Sequence, residues 1–291
     1  MKKRAFFYII LAGVCWGTSG IFVHFLAPYG FTSFQMTGVR ATVSLLCILT
    51  FALIRDREAF RIKPVHLPLY LCLGVSLFFT GSCYFLSMQR TSVSTAVVLM
   101  YTAPIYVMIF SVLFLGEKLT KVKLTAIICM LIGCALVSGI VGGIKFDVIG
   151  ILLGLASGIA YASYNIFTKI LVLKKIKPLT VTLYGFTFMA LISLTVLEPL
   201  KIVENASASP AFTVPMLIAL GIVTFVMPYV LYTLGMKELS AGSASALSIV
   251  EPMSATLFSV LIFKEKLDVF SVFGIILILS AILIIGKTEK E

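Results

Sequence analysis

Two charged residues, Glu251 and Arg40, lie inside long apolar segments of this 291-residue chain. A charged side chain at the centre of a membrane helix costs about 2.5–3.5 kcal/mol on insertion scales, so it usually has a partner or lines a cavity. Glu251 is followed by Pro252, which has no amide hydrogen and should leave the carbonyl of Ser248 free. That carbonyl and the carboxylate could together bind a cation, an amine or a proton, or the carboxylate could serve only in helix packing.

Arg40 is the second charge within an apolar segment. Its guanidinium can hold the carboxylate of a ligand through two parallel hydrogen bonds. It could instead neutralise Glu251, or it could extend to the membrane surface along its flexible stem. A ligand contact, an internal ion pair and a surface position are therefore all compatible with its place in the sequence.

Aromatic and amide side chains recur at helical spacing in several apolar segments, where they could line a cavity or join neighbouring helices. One such stripe contains Tyr161 and Asn165, and Trp16 occupies the corresponding place in the first apolar segment. An aromatic lining would also suit a cationic ligand, because a cation is attracted to the ring faces. The residues that we predict to bind a substrate are Glu251, Arg40, Trp16, Tyr84, Tyr101, Tyr161, Asn165 and Tyr232.

We predict no catalytic residue. A Gly-Thr-Ser-Gly string surrounds Ser19, but an intramembrane serine protease also needs a histidine within reach of the serine. His24 lies about 140° around the same helix from Ser19, and His66 lies in a loop, so a protease is a remote alternative. The six cysteines form no C-x-x-C pair and the chain has no phosphate-binding loop, so we predict no metal, no cofactor and no ATP-driven pump. A proton is the coupling ion that Glu251 could carry.

The composition is that of a membrane protein. Hydrophobic residues make up 60% of the chain, charged residues 12%, and the mean hydropathy is +1.12. A soluble protein could not bury so much apolar surface, so the surrounding solvent must be lipid. The net charge of +11 comes from short basic clusters beside apolar segments, which indicates membrane orientation rather than a nucleic-acid partner. The expected partners are the lipid bilayer and a small-molecule substrate, and the sequence predicts no particular oligomeric state.

Ten segments are long and apolar enough to cross a bilayer, since a span needs about 20 residues. They are predicted near residues 6–27, 33–54, 67–88, 92–115, 122–141, 147–169, 179–200, 212–235, 242–263 and 269–286. The longest connections, Arg55–His66 and Lys201–Ala211, are too short for a soluble domain. With the N-terminus in the cytoplasm, seventeen basic residues face the cytoplasm and five face outwards. This bias predicts cytoplasmic N- and C-termini.

An internal repeat fixes the expected architecture. Residues 84–119 reappear as residues 232–267, with fourteen of thirty-six positions identical, and the two copies carry Pro104 and Pro252 at matching places. Each copy contains five predicted spans, an odd number, so the second copy should cross the membrane in the opposite direction. We therefore predict an all-α membrane protein of ten helices in two inverted five-helix repeats, residues 1–142 and 143–291, with Pro104 and Pro252 as hinges.

Several segments resemble one known family when taken in order. They are AGVCWGTSGIF from Ala12, GVRATVSLL from Gly38, TAPIYVMIFSVLFLGEKLT from Thr102 and VEPMSATLFSVLIFKEKLD from Val250. The halves resemble the EamA domain of the drug/metabolite transporter superfamily, and the likeness covers nearly the whole chain. The resemblance implies a ten-helix carrier of a bacterial plasma membrane that moves amino acids or other small metabolites, often as an exporter.

The residues and the resemblance together predict a secondary transporter that works by alternating access. Its expected cargo is an amino acid or a similarly small polar metabolite, with export favoured over uptake. Efflux of cationic, lipophilic compounds is the alternative, in which Glu251 would neutralise the charge of the cargo. An ion channel and a structural or regulatory membrane protein are less favoured, because inverted halves with proline breaks suit alternating access.

Overall fold

The structure is a computed structural model that describes residues 2–91, 93–117, 120–137, 147–195, 198–264 and 268–288, without the side chains of Ser33, Ser94 and residues 286–288. The described part is helical and contains no β-strand. The predicted boundary between the halves, at residues 142 and 143, lies outside the described residues. Most of the two Glu-Lys-Leu turns, at residues 118–119 and 265–267, also lies outside them.

Fifteen α-helices follow one another along the described residues. The first seven are α1 Lys2–Gly17, α2 Ser19–Leu26, α3 Ser33–Arg55, α4 Leu67–Arg90, α5 Val93–Met100, α6 Ala103–Leu115 and α7 Lys121–Val137. The others are α8 Val148–Leu173, α9 Pro178–Ser193, α10 Pro199–Ser207, α11 Pro210–Gly221, α12 Met227–Gly235, α13 Ala241–Leu247, α14 Val250–Phe263 and α15 Val269–Thr288. A π-helical turn, Ile222–Val226, joins α11 to α12.

Seven helical segments of the described chain are long and apolar enough to cross a membrane. They are Lys2–Tyr29, Phe34–Arg55, Pro64–Arg90, Thr95–Leu115, Val148–Leu173, Pro210–Gly235 and Ala241–Phe263. Two shorter apolar helices, Pro178–Ser193 and Val269–Ile285, coincide with two further predicted spans. The tenth predicted span, 122–141, corresponds to the 17-residue α7, and its predicted end falls outside the described residues.

Several predicted spans are interrupted helices rather than continuous ones. The break between α5 and α6 falls at Tyr101–Thr102, and that between α13 and α14 falls at Ser248–Ile249. Each break precedes a proline in the first turn of the following helix, where the missing amide hydrogen prevents a regular i to i−4 bond. Both breaks thus lie inside apolar segments long enough to cross a membrane, Thr95–Leu115 and Ala241–Phe263. Irregular backbone within such a segment is tolerated where it borders protein or a cavity.

The connection predicted at Lys201–Ala211 does not form a simple loop. Instead α9 ends at Ser193, before the predicted end of its span, and α10 forms from Pro199. Proline is favoured in the first turn of a helix, because its missing amide would be unpaired there in any case. The Asn205 side chain of α10 donates a 3.0 Å hydrogen bond to the carbonyl of Gly30, which ties this helix to the turn after α2.

The helices that surround the centre of the bundle are in close contact. Helix α4 packs on α8 and α9, α1 packs on α12 and α14, and α7 lies along α15. Gly17 at the end of α1 allows the closest approach to α14, because a Cβ atom there would lie 2.7 Å from Ser254 Cβ and 2.9 Å from the carbonyl oxygen of Glu251. The absence of a side chain at Gly17 therefore brings α1 directly against the turn that carries Glu251.

Candidate functional site

A cavity of about 640 Å³ opens among α1, α3, α4, the α5–α6 break, α8, α12 and α14. Its volume falls within the range of about 300–1,000 Å³ that is usual for small-molecule sites. Six of the eight substrate residues predicted from the sequence line it: Trp16, Arg40, Tyr84, Tyr101, Tyr161 and Glu251. The interrupted helices thus bring residues from distant parts of the sequence to the lining of one cavity.

Glu251 stands in the first turn of α14 and is held by a partner from the other half of the chain. The hydroxyl of Tyr101, at the break between α5 and α6, donates a 2.5 Å hydrogen bond to its Oε2 atom. Tyr101 itself is 2% exposed. Its phenol therefore fixes one carboxylate oxygen of Glu251.

Arg40 projects from α3 into the same cavity without forming an ion pair with Glu251. Its Nη2 atom donates a 3.1 Å hydrogen bond to Thr37 Oγ1, and the guanidinium carbon lies 5.4 Å from the centre of the Phe225 ring. The Nε atom is buried and has no hydrogen-bond partner among the described residues. No ion pair of the described side chains joins Arg40 to Glu251, so the cavity lining contains a guanidinium and a carboxyl group that are not in direct contact.

An aromatic wall forms around Trp16. Its ring centre lies 6.5 Å from that of Tyr161, 5.2 Å from that of Tyr229 and 5.4 Å from that of Tyr232, and the first two pairs are edge-to-face. Edge-to-face contacts are favourable because the positive edge of one ring meets the negative face of the other. These contacts hold the Trp16 ring in place, and Trp16, Tyr161 and Tyr229 line the same cavity as Arg40 and Glu251.

Two predicted substrate residues lie behind the cavity wall. Asn165 and Tyr232 are fully buried and bind each other, with the phenol of Tyr232 donating to the amide oxygen of Asn165. The amide nitrogen of Asn165 donates a 2.7 Å bond to the carbonyl of Tyr161. The structure therefore places this pair in helix packing next to the site rather than on the cavity surface.

The two predicted hinge prolines differ in position. Pro252 lines the cavity, whereas Pro104 is buried in the first turn of α6 and does not. The prediction that Pro252 leaves the carbonyl of Ser248 free is wrong, because the amide of Glu251 donates a 3.0 Å bond to that oxygen. The hydrogen bond at this turn spans three residues instead of four, as in a 3₁₀-helix. The Ser248 carbonyl is therefore paired although Pro252 has no amide hydrogen to donate to it.

Several further lining residues were not predicted from the sequence. Thr37 lies one helical turn before Arg40 on α3 and was detectable as its nearest polar neighbour, but Phe225 comes from the π-helical turn and carries no signal of its own. Asp268 and Ser271 stand at the start of α15, where the Asp268 carboxylate accepts a 2.7 Å bond from the Ser271 amide. They contribute to the lining together with Val23, Ser259 and Val260.

The chain matches one family model twice. The description of that model is "EamA-like transporter family", and it matches residues 3–139 and 148–287. The chain belongs to the EamA-like transporter family. With several apolar helices long enough to cross a bilayer, this EamA-like protein is a multi-pass membrane protein.

Curated relatives of this EamA-like protein cover nearly its whole length. An uncharacterized transporter of Archaeoglobus fulgidus is 31% identical over 95% of this chain and 94% of its own. The uncharacterized transporter YwfM of Bacillus subtilis is 24% identical over 98% and 94%, and the uncharacterized inner membrane transporter YicL of Salmonella typhimurium is 24% identical over 99% and 97%. A crystal structure with 19% identity has a TM-score of 0.80 over 100% of this chain and 99% of that one, which shows a shared fold.

Proposed function

We propose that this EamA-like protein is a secondary transporter that moves small zwitterionic metabolites, amino acids or close relatives of them, by alternating access. The observation that carries the proposal is the separation of Arg40 from Glu251 in one cavity. Each has its own hydrogen-bond partner, Thr37 or Tyr101, and no ion pair of the described side chains joins the two. An α-amino acid offers a carboxylate for the guanidinium and an ammonium for the carboxylate, so one ligand satisfies both charges.

The proposed architecture is ten membrane helices in two inverted repeats, residues 1–142 and 143–291. Its support comes from matching interruptions: both copies of the repeat break just before Pro104 or Pro252. Close contacts also recur between the two copies. A Cβ atom added to Gly158 would lie 3.1 Å from the carbonyl oxygen of Met100, and one added to Gly13 would lie 3.5 Å from that of Ser248. Met100 and Ser248 occupy equivalent places in the two copies.

The proposed location is the bacterial plasma membrane with both termini in the cytoplasm, as the basic residues of the loops favour. In this orientation the cavity faces outwards, because Val23, Ser259 and Asp268 belong to its lining near the ends of α2 and α14 and the start of α15. We favour export over uptake, and coupling to a proton that Glu251 would carry. A proton crossing 100 mV contributes only about 2.3 kcal/mol, so a single coupled proton would support modest accumulation.

Efflux of cationic, lipophilic compounds is the second candidate, because aromatic rings stand beside Glu251. Trp16 and Tyr161 line the cavity close to the carboxylate, and ring faces attract cations. Arg40 counts against this candidate, since a cation entering the cavity would meet a second positive charge. The two candidates therefore make opposite predictions for Arg40 variants.

The test is transport by purified protein in sealed proteoliposomes. A panel of labelled amino acids, their decarboxylated amines and a lipophilic cation would be measured by counterflow, with and without a pH gradient. Saturable amino-acid counterflow that falls in both Arg40→Gln and Glu251→Gln supports the proposal. Flux of the lipophilic cation alone, kept in Arg40→Gln and lost in Glu251→Gln, would favour the second candidate. Equal counterflow rates with and without a pH gradient would contradict proton coupling.

A further inference from the structure

A polar cluster outside the cavity lining holds the end of the bundle that faces the cytoplasm in the proposed orientation. Helix α13 packs against α6 at this end, whereas α5 and α14 both line the open cavity. The turn between α12 and α13, residues 236–240, belongs to this cluster. Met236 and Leu239 in this turn are buried at 0% and 1% exposure, so its backbone carbonyls need partners inside the protein.

Lys169 of α8 supplies those partners. Its Nζ atom donates hydrogen bonds of 2.8 Å to the carbonyl of Met236 and 2.6 Å to that of Leu239, and the side chain is 7% exposed. A buried ammonium is expensive unless its protons are bonded, and carbonyls at the end of a helix are favourable acceptors for a cation. Lys169 therefore holds the 236–240 turn against α8.

A second set of bonds ties the same turn to the first half of the chain. The carboxylate of Glu117, just after α6, accepts a 3.0 Å hydrogen bond from the amide of Ala241, and Lys123 Nζ donates a 3.0 Å bond to Ser240 Oγ. The Ser240 hydroxyl also caps α13 by accepting from the amide of Ser243. A carboxylate at the N-terminus of α13 is favourable, because unpaired amides point out of a helix at that end.

The internal repeat identifies the counterpart of Lys169. Aligning Trp16 with Tyr161 places His24 at the position of Lys169, and the offset of the longer repeat places Met88 and Thr91 at the positions of Met236 and Leu239. In the structure His24 is exposed, with its ring centre 4.2 Å from that of Phe263. Within the described part of the chain, His24 makes no hydrogen bond to the carbonyl of Met88 or Thr91.

From this difference we infer that Lys169 and Glu117 form the inner gate of the transport cycle, and that His24 performs the role of Lys169 in an outer gate when the cavity mouth closes. The inference rests on the proposed alternating-access function and adds the residues that control it. In the second half of the chain the 236–240 turn is bonded to α8. In the first half, Val23, which precedes His24, and Met88 both line the open cavity. In the opposite state of the cycle, the first half would adopt the bonded arrangement and the second half the unbonded one. This change would bring α5 against α14 and separate α13 from α6.

Hydrogen–deuterium exchange on the full-length protein tests the inference without any substrate. The variant Lys169→Met removes both bonds to the turn but keeps much of the side-chain volume. We expect exchange at residues 236–243 to become faster by about tenfold, a factor that corresponds to roughly 1.4 kcal/mol. Exchange at residues 93–100, at the mouth, should become slower in the same variant, because an open inner gate accompanies a closed mouth.

The controls separate a gate from a local packing defect. Lys237→Met changes an exposed lysine in the same turn and should alter exchange at neither segment. If Lys169→Met yields no soluble, monodisperse protein, Glu117→Met, which removes the acceptor of the Ala241 amide, tests the same pair of changes. Faster exchange at 236–243 without slower exchange at 93–100 would mean that these residues only stabilise the turn, and it would overturn the inference.

The outer gate is tested by the opposite response. His24→Ala should weaken the closed mouth, so exchange at residues 93–100 should rise and exchange at residues 236–243 should fall. Unchanged exchange at both segments would contradict the role of His24. Because exchange needs no transported compound, a failed gate response with intact amino-acid flux overturns this inference alone. A gate response without flux of any substrate counts against the proposed function alone.

Discussion

The phenol of Tyr101 and the carboxylate of Glu251 are joined by a 2.5 Å hydrogen bond, although the two residues stand 150 positions apart in the sequence. Each residue lies at the interruption of a membrane helix, Tyr101 before α6 and Glu251 at the start of α14. The bond therefore connects the two halves of the chain at the negative charge of the cavity. Both substrate binding and the relative position of the two halves should therefore depend on this hydrogen bond.

Replacing Tyr101 with phenylalanine should weaken substrate binding while leaving the fold intact. The variant removes the bond that holds the Glu251 carboxylate in place. We therefore expect the KM for an amino acid to rise by about tenfold, which corresponds to roughly 1.4 kcal/mol. Counterflow in proteoliposomes measures this change. Tyr106→Phe on α6, the helix that begins just after Tyr101, is the matched control, because Tyr106 makes no hydrogen bond in the described structure. Equal KM values for the two variants would contradict a role for the phenol.

Arg40 variants should change which ligands are accepted. Arg40→Gln is expected to raise the KM for an amino acid by about thirtyfold, which corresponds to roughly 2 kcal/mol, and to affect the decarboxylated amine much less. Arg40→Lys keeps the charge but loses the planar fork, so an intermediate KM is expected. Competition between the amino acid and its amine measures this preference. A ratio unchanged from that of the natural chain would show that Arg40 does not bind the carboxylate.

A side chain at Gly17 should destabilise the fold, because α1 lies directly against α14 at this point. A Cβ atom would fall 2.7 Å from Ser254 Cβ and 2.9 Å from the carbonyl oxygen of Glu251. We expect Gly17→Ala to lower the free energy of unfolding by about 1–3 kcal/mol, the usual cost of overpacking. Gly20→Ala is the control, since no atom lies within 4 Å of its Cβ position. Thermal unfolding in detergent compares them, and equal midpoints would contradict the close packing.

A surface ion-pair cluster links the loop after α3 to the turn after α8. Lys177 Nζ lies 3.0 Å from Asp56 Oδ1 and 2.7 Å from Glu58 Oε2. Hydrogen bonds and the positive charge of Lys177 lower the pKa of Glu58, and hydrogen bonds to Glu58 and Asp56 raise the pKa of Lys177. These groups are exposed, so the contribution to stability should be small and should decrease with added salt.

The pH dependence of this cluster follows from the lowered pKa of Glu58 and the raised pKa of Lys177. The lowered pKa of Glu58 gives stabilisation that is lost as the pH falls below the reference value of about 4.3, and the raised pKa of Lys177 gives stabilisation that is lost as the pH rises above about 10.4. The effect of Lys177→Met on the thermal midpoint should therefore be constant between about pH 5 and 9. A strong dependence within that window, or no decrease with salt, would contradict this account.

The sequence predicted most of the helices, because long apolar segments and basic clusters are strong signals in membrane proteins. It also predicted six residues of the cavity, since charges and aromatic stripes in apolar segments usually face protein or water. It did not predict that Asn165 and Tyr232 would bind each other behind the wall, as helical spacing fixes the face of a helix but not its neighbour. Phe225 was missed because a π-helical turn shifts the faces of the helix around it.

The fate of the Ser248 carbonyl shows a different limit. The sequence indicated correctly that Pro252 cannot bond to it, but the tighter turn that lets the amide of Glu251 do so depends on local backbone geometry. The helix α10 was missed for a related reason, since its contacts to Gly30 come from a distant part of the chain. Local backbone geometry decided the first of these features, and a contact between distant segments accompanies the second.

The central claim is that one zwitterionic ligand engages Arg40 and Glu251 together, and Trp16 allows it to be measured directly. Trp16 is the one tryptophan of the chain and lines the cavity. Titration of the purified protein with amino acids should give a saturable change in tryptophan fluorescence, absent in both Arg40→Gln and Glu251→Gln. A change produced by lipophilic cations but by no amino acid, or an amino-acid response that survives both substitutions, would contradict the claim.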